Sequence, residues 1–129
     1  GDVYKRQVVI AGDPEMVDAA SEAAQSLEGV TVTRSRRTLL EIMPPNVNKK
    51  NGLKAALNFY RIPREQLAAF GDEENDQDML DYAGIGIAMG NAIPEIKKIA
   101  DITTQSNDED GVAKFLIDYF QISPTAIHP

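Results

Sequence analysis

The clearest structural signal in the sequence is Leu67-Ala68-Ala69-Phe70-Gly71-Asp72-Glu73-Glu74-Asn75-Asp76, a short apolar run that leads directly into an acidic turn. An apolar run of this length bounded by Gly is typical of a buried β-strand. A helix follows, because Met79, Leu80 and Ala83 lie at helical spacing and Gly84 ends the pattern. Residues 85–89 form the next apolar run. Two strands separated by a helix pair in parallel, so this part of the chain predicts a parallel sheet with helices on its faces.

The same alternation of helix and strand continues on both sides of this stretch. Upstream, residues 49–61 predict an amphipathic helix. The apolar residues that share one face of it are Leu53, Ala56, Leu57 and Tyr60. Downstream, we predict a short helix near Pro94, a strand over residues 100–104 and a final helix that ends near residue 120. The pattern as a whole predicts an α/β fold, half of a Rossmann-like parallel sheet.

The final helix is preceded by Ser106 and Glu109, which have the spacing of a capping box. In a capping box each side chain accepts a hydrogen bond from the other residue's backbone N–H, so we expect the pair to cap the helix.

The first part of the chain has a different pattern. Residues 8–11 predict a strand, and Asp13 and Pro14 predict the start of a helix that ends at Gly29. Residues 30–33 and 38–43 predict two further strands, which we expect to be joined by a polar turn at Arg34-Ser35-Arg36-Arg37. A strand, a helix and a hairpin in this order are typical of an α+β module.

The sequence suggests four segments. Residues 1–7 lack an initiator Met and any periodicity, and we interpret them as a truncation edge. Pro44-Pro45 marks the boundary between an α+β module over residues 8–45 and the strand–helix alternation of residues 46–120. Residues 121–129 are expected to be a frayed tail.

Composition narrows the class of protein. The 129 residues include 13 Lys and Arg against 20 Asp and Glu, for a net charge of −7, and no Cys. The absence of Cys excludes disulfides and thiolate chemistry from this chain and favours a reducing, cytoplasmic location. The negative charge argues against nucleic acid as a partner and favours bound cations. No apolar run approaches the roughly 20 residues that span a bilayer, so we expect no membrane partner.

The acidic turn is a candidate metal site. Ligands of open parallel sheets bind at the carboxyl ends of the strands, which is where this turn lies. Its carboxylates, from Asp72, Glu73, Glu74 and Asp76, would repel one another unless a hard cation neutralised them, and Mg²⁺ takes oxygen ligands of this kind. The alternative is a solvated helix start, because acidic residues also complement the positive end of a helix dipole.

A second candidate feature is the pair Lys49 and Lys50 at the start of the predicted helix. Cations are disfavoured there by about 0.3 to 1 kcal/mol, unless an anion such as phosphate binds the helix N-terminus. The alternative is that both ammonium groups extend into water. A Lys and an acidic turn at neighbouring strand ends together are what phosphoryl transfer with Mg²⁺ requires.

In these motifs the sequence resembles the Cof-type phosphatases of the haloacid dehalogenase superfamily. The matching stretches are Leu40-Glu41-Ile42, Asn46-Val47-Asn48-Lys49, Phe70-Gly71-Asp72-Glu73-Glu74-Asn75-Asp76, Ala88-Met89-Gly90-Asn91-Ala92 and the segment from Ala100-Asp101 to Gly111-Val112-Ala113. Together they cover about residues 8–120. The resemblance makes residues 8–45 the C-terminal part of a cap module that selects substrate, and residues 46–120 the C-terminal half of the family's core.

The resemblance implies a Mg²⁺-dependent phosphomonoesterase that acts on a sugar phosphate or similar small phosphorylated metabolite through an aspartyl-phosphate. Lys49 corresponds to the Lys that holds the nucleophile and the phosphoryl group. Asp72 corresponds to the direct metal ligand, and Asn75 lies near the phosphate or a metal-bound water. Asp76 orients the Lys and belongs to the metal's surroundings. The family often has a small residue where this chain has Glu73.

The family's first motif, Asp-x-Asp directly after an apolar strand, is not found here. Asp108-Glu109-Asp110-Gly111 mimics it, but a polar segment precedes it, and we interpret it as a helix cap. The chain is therefore expected to be the C-terminal half of such an enzyme, inactive alone, with an exposed sheet edge that promotes self-association. There are two alternatives: a non-catalytic domain that binds Mg²⁺ or a phospholigand, and a phosphomutase of the same superfamily.

The cap module has one further candidate feature, the cluster of Arg34, Arg36 and Arg37. These side chains could bind an anionic substrate or form a charged hairpin tip.

Overall fold

The computed structural model describes residues 7–123, within which the chain forms six strands and five helices. Residues 1–6 and 124–129 lie outside the described residues, and with them most of the predicted truncation edge and part of the predicted tail. The strands are β1 (Val8–Ala11), β2 (Thr31–Arg36), β3 (Leu39–Met43), β4 (Ala68–Gly71), β5 (Ile85–Ala88) and β6 (Ile102–Thr103). The helices are α1 (Pro14–Ala24), α2 (Lys49–Tyr60), α3 (Gln77–Tyr82), α4 (Pro94–Ile99) and α5 (Gly111–Phe120).

The second part of the chain forms a parallel sheet in the order β4-β5-β6. Its central strand β5 is almost fully buried, as expected for a strand covered on both faces. On one face of the sheet, Ala88 of β5, Leu80 of α3 and Ile96 of α4 belong to one buried core. Ile87 of β5 is fully buried as well, and strand alternation places it on the other face. The predicted α/β class and its parallel sheet are confirmed.

The first part forms a separate antiparallel sheet in the order β1-β3-β2. Helix α1 covers one face, where Val17 of the helix and Leu40 of β3 are fully buried and Ile10 and Ile42 pack beside them. The alternation of side chains along β3 places Glu41 and Met43 on the opposite face of the sheet. Helix α1 does not cover this face. The predicted strand–helix–hairpin order agrees with this arrangement.

The predicted hairpin is present, but its turn is shorter than predicted: Arg34 to Arg36 extend strand β2, and the turn consists of Arg37 and Thr38. Charged residues are tolerated in an exposed edge strand, and a register shift between Arg34 and Arg36 accommodates the extra residue against β3. Arg34 lies on the face of α1, where it pairs with Asp18.

The predicted capping box is wrong. Ser106 Oγ donates to the Glu109 carboxylate over 2.9 Å instead of accepting from the backbone, and α5 begins only at Gly111. Asp110 has a left-handed backbone, with φ 57°, and ends the short 3₁₀ turn over Asn107–Glu109 that separates the pair from the helix.

The carboxyl ends of the three parallel strands meet at one edge of the sheet, as parallel pairing requires. The turns that follow them hydrogen-bond to one another: Ile93 N–H donates to the Asp72 carbonyl over 2.9 Å, and Gly90 N–H to the Gln105 carbonyl over 3.1 Å. None of the helices formed by residues 7–123 has the length and apolar character needed to cross a bilayer.

Candidate active site

Asp76 lies at the centre of the turn after β4 and is 3% exposed. Its Oδ2 accepts hydrogen bonds from the backbone N–H groups of Asp72, over 2.9 Å, and Glu73, over 3.2 Å. The carboxylate thus links the end of the turn to the backbone at its start. Gly71 allows this close approach, because a Cβ at that position would lie 2.6 Å from the Cβ of Asp76. Gly71 is therefore required by the packing of Asp76.

Lys49 reaches the same carboxylate from another part of the chain. Its Nζ donates a hydrogen bond to Asp76 Oδ1, which forms an ion pair between the start of α2 and the turn after β4. The start of α2 is fixed by Asn48, whose side chain accepts a hydrogen bond from the N–H of Asn51 over 2.8 Å. This N-cap leaves Lys49 at the first helical position, with its side chain half-exposed. The two groups that the sequence analysis expected to converge are in contact.

The electrostatics of the turn follow from these contacts. Burial by itself would raise the pKa of Asp76, but the hydrogen bonds from Lys49 and from two backbone N–H groups outweigh it, so the pKa lies below its ordinary value. At Glu73, burial raises the pKa, and the carboxylates of Asp72 and Asp76 raise it further, while Arg36 acts in the opposite direction. Asp76 is consequently ionised at neutral pH. The negative charge of the neighbouring carboxylates raises the pKa of Glu73.

Asp72 differs from Asp76 in that its carboxylate is largely available. Asn91 donates to its Oδ2 over 3.1 Å, and no other hydrogen bond to this carboxylate is formed by residues 7–123. Asp76, in contrast, already accepts three hydrogen bonds of the roughly four that a carboxylate can accept. Asp72 is thus the better direct ligand for a cation.

The donor set suits Mg²⁺ better than a metal that requires a protein cage. Within the described part of the chain, no group of three or more His, Cys, Asp or Glu side chains is arranged to hold a metal ion. Mg²⁺ is usually bound through one or two carboxylates, with phosphate and water completing its octahedral shell. Asp72 with an oxygen of Asn75 or Asp76 is a set of this kind, so the residues present fit the metal that the sequence predicted.

A cavity of about 260 Å³ opens beside Lys49, between the uncovered face of the antiparallel sheet and the acidic turn. Lys49 and Asn75 line it from the second part of the chain. The remaining lining residues are Thr33, Glu41, Met43, Val47 and Asn48. The ammonium of Lys49 and the amide of Asn75, which the family resemblance places near the phosphate, therefore line one space large enough for a small molecule.

A second cavity, of about 490 Å³, lies between the end of β2 and the other side of the turn. Arg36 and Arg37 line it opposite Glu73 and Glu74, so its positive and negative groups largely compensate one another.

Two features of the site differ from the sequence pattern or were not predicted from it. Lys50 lies 5.6 Å from the centre of the Tyr82 ring, in a cation–π contact, and only Lys49 of the pair contacts Asp76. Asn91 was noted only as part of a matching stretch, although it contacts Asp72. Its position in a turn after a parallel strand was the one signal that could have identified it.

Comparison with known proteins identifies the family to which the chain is similar. A family model described as haloacid dehalogenase-like hydrolase matches residues 2–116. The chain is 50% identical over 84 residues to the 5-amino-6-(5-phospho-D-ribitylamino)uracil phosphatase YitU of Bacillus subtilis, covering 65% of this chain and 31% of that protein. It is 36% identical over 115 residues to the phosphatase of the same description, YwtE, from Bacillus subtilis, covering 89% of this chain and 40% of that protein.

Two solved structures have the same arrangement of elements. One is a haloacid dehalogenase-like hydrolase from B. subtilis, with a TM-score of 0.77 and 37% identity, covering 83% of this chain and 38% of that chain. The other is the subclass IIB sugar phosphatase BT4131, with a TM-score of 0.77 and 28% identity, covering 90% of this chain and 44% of that chain. The chain spans less than half the length of each of these relatives.

Proposed function

The chain belongs to the haloacid dehalogenase-like hydrolase family, and from that premise we propose that it is the metal- and phosphate-binding part of a phosphomonoesterase. The observation that carries the proposal is the contact of Lys49 with Asp76 beside the available carboxylate of Asp72. A cation for phosphoryl oxygens and an oxygen ligand for a metal are thereby adjacent at the carboxyl edge of a parallel sheet.

Each residue has a distinct role in this proposal. Lys49 holds the transferred phosphoryl group, and Asp76 fixes the Lys49 ammonium at the mouth of the cavity. Asp72 would hold the metal directly, and Asn75 would contact the phosphate or a water of the metal. When bound, Mg²⁺ would neutralise phosphoryl oxygens and orient the substrate. The pKa of Asp76 is lowered by its hydrogen bonds with Lys49 and two backbone N–H groups, so its carboxylate is ionised at neutral pH and can pair with the Lys49 ammonium.

The nucleophile in this proposal is an Asp supplied by sequence outside these 129 residues. It attacks the phosphorus of the substrate, forms an aspartyl-phosphate and releases the alcohol, after which water hydrolyses the acyl phosphate. The chain alone then binds the metal and phosphate without turnover. The family's relatives, which are more than twice as long as the matched part, are consistent with this division.

The substrate is a small phosphorylated metabolite such as a sugar phosphate. Residues 8–45 are the C-terminal part of the cap that selects it. This assignment is supported by the cavity between β2, β3 and Lys49, whose walls carry the hydroxyl of Thr33 and the carboxylate of Glu41 as hydrogen-bonding groups for a polyol. Two of the relatives act on compounds of this class, a phosphoribitylaminouracil and a sugar phosphate.

The test is the substitution Asp72→Ala in the full natural protein, assayed for Mg²⁺-dependent hydrolysis of p-nitrophenyl phosphate. We expect hydrolysis to be lost, whereas the control Asp81→Asn, an exposed carboxylate of α3, keeps wild-type rates. Unchanged turnover in Asp72→Ala would contradict the proposal. A full protein that binds Mg²⁺ and phosphate without hydrolysing any ester would point to a binding domain, and transfer of phosphate within a sugar would point to a mutase.

A further inference from the structure

Asn91 connects two turns at the carboxyl edge of the parallel sheet. Its Nδ2 donates a hydrogen bond to Asp72 Oδ2 over 3.1 Å, and its Oδ1 accepts one from the backbone N–H of Asn107 over 2.9 Å. Because an amide has a donor end and an acceptor end, the two bonds together fix its orientation. We propose that Asn91 is a positioning residue, which holds the Asp72 carboxylate in the orientation that binds the metal. This inference rests on the proposed function.

The main chain that carries Asn91 is itself fixed. A Cβ at Gly90 would lie 2.6 Å from the backbone N of Ser106, so the turn after β5 lies directly against the segment that precedes α5. On the other side, Ile93 N–H donates to the Asp72 carbonyl over 2.9 Å. Asn91 therefore projects from a turn that is held both to the Asp72 turn and to the segment at Ser106, and its amide is a rigid support.

The chemistry of an amide suits this position. A neutral donor occupies one oxygen of Asp72 without cancelling its charge, so the other oxygen keeps its full attraction for a cation. Lys49 acts differently on Asp76, because its ammonium binds Oδ1 and offsets the negative charge of that carboxylate. The two carboxylates of the turn thus receive different partners, and the partner of each one sets its role.

A role in folding alone predicts a different outcome from a role in positioning. Asn91 is exposed, and a hydrogen bond that competes with water contributes only about 0.5–1.5 kcal/mol to stability. The orientation of a ligating carboxylate has a larger effect on the metal, because loss of such a supporting hydrogen bond commonly lowers metal affinity or activity about 10–100-fold. Removal of the amide should therefore weaken metal binding much more than it weakens the fold.

The experiment compares Asn91→Leu, which keeps the side-chain volume without its hydrogen bonds, with Ser106→Ala. The control breaks the Ser106 hydrogen bond to Glu109 in the neighbouring turn and does not contact Asp72. Mg²⁺ affinity of the full natural protein is measured by calorimetry, and Mn²⁺ binding by electron paramagnetic resonance. We expect the dissociation constant for Mg²⁺ to rise about 10–100-fold in Asn91→Leu and to be unchanged in the control. In the control Ser106→Ala, the rate at saturating Mg²⁺ and the KM for p-nitrophenyl phosphate should also stay close to wild type.

A measurement without any substitution keeps the inference testable if Asn91→Leu does not fold. In protein labelled with ¹⁵N at Asn, the side-chain NH₂ signal of Asn91 should shift with added Mg²⁺ along the same binding curve as the calorimetry. An unshifted signal, wild-type affinity in Asn91→Leu or an equal loss in Ser106→Ala would each overturn the positioning role. Retained Mg²⁺ affinity in Asp72→Ala would instead overturn the proposed function, so the two failures are distinguishable.

Discussion

The stability of the acidic turn should depend on Asp76 through two separable sets of contacts. Asp76→Ala removes both the acceptor of two backbone N–H groups and the partner of Lys49. Asp76→Asn keeps an oxygen for the N–H groups but removes the charge. Lys49→Met removes the ion pair alone. The loss of stability should therefore be largest in Asp76→Ala, smaller in Asp76→Asn and smallest in Lys49→Met.

The magnitudes follow from burial. Hydrogen bonds to a charged group contribute about 1.5–3 kcal/mol each, and we take the lower end because the two backbone hydrogen bonds to Asp76 are part-buried. The Lys49 side chain is 49% exposed, so the ion pair adds at most about 1 kcal/mol. We expect Asp76→Ala to lower the free energy of unfolding by about 4 kcal/mol. Asp76→Asn should lower it by about 2.5 kcal/mol, because neutral hydrogen bonds are roughly half as strong as charged ones and the ion pair with Lys49 is lost.

The assay is urea unfolding followed by circular dichroism, without added metal. A carboxyl group whose pKa is lower in the folded chain stabilises the fold above its unfolded pKa of about 3.9, and this stabilisation is lost as the pH falls through the lowered folded pKa. The difference in the free energy of unfolding between wild type and Asp76→Asn should stay constant between about pH 7 and pH 5. It should become smaller below about pH 4, where the Asp76 carboxylate of the wild type becomes protonated.

Two results would refute this reasoning. Equal unfolding free energies for Asp76→Asn and Asp76→Ala would mean that the backbone hydrogen bonds do not hold the turn. A loss in Lys49→Met as large as that in Asp76→Ala would mean that the ion pair dominates, contrary to the exposure of Lys49.

Two further predictions concern the strand before the turn. Gly71→Ala should displace Asp76, because the new Cβ would lie 2.6 Å from the Asp76 Cβ, and thermal unfolding should report a loss of about 1–3 kcal/mol; a melting curve equal to wild type would be inconsistent with this packing. Strand β4 has β5 as its one hydrogen-bonded neighbour among residues 7–123, so the isolated chain should self-associate through its open edge. Ala68→Lys, at an exposed position of β4, should reduce the sedimentation-derived mass, and the same mass in both proteins would locate the association elsewhere.

The order of elements could be predicted from the sequence because each one has its own period. The apolar run before Gly71 and the helical spacing of Leu53, Ala56 and Leu57 are local signals that require no knowledge of the rest of the chain. The place of the acidic turn required one topological rule, that ligands bind at the carboxyl ends of parallel strands. The contact of Lys49 with this turn does not follow from that rule, because α2 comes after β3 of the antiparallel sheet. It was expected from the groups that phosphoryl transfer with Mg²⁺ requires.

The errors arose where a local pattern allows two structures. Arg34, Ser35 and Arg36 are polar and could form a turn, but an edge strand with one face toward solvent accepts them equally well. Ser106 and Glu109 have the spacing of a capping box, but a left-handed residue at Asp110 interrupts the helix start that the box requires. Spacing alone does not specify backbone dihedral angles, so neither outcome could be read from it.

The roles of adjacent residues at the site could not be separated from sequence for a geometric reason. Successive residues of a helix point about 100° apart, so one Lys of the pair at the start of α2 can reach Asp76 while the other contacts Tyr82. Asn91 and Asp72 are 19 positions apart in different turns, and only the sheet brings them together. The residues that bind directly leave a local signal because their chemistry fixes their type and place. The residues that orient them are determined by the packing of turns against one another, which the spacing of residues along the chain does not reveal.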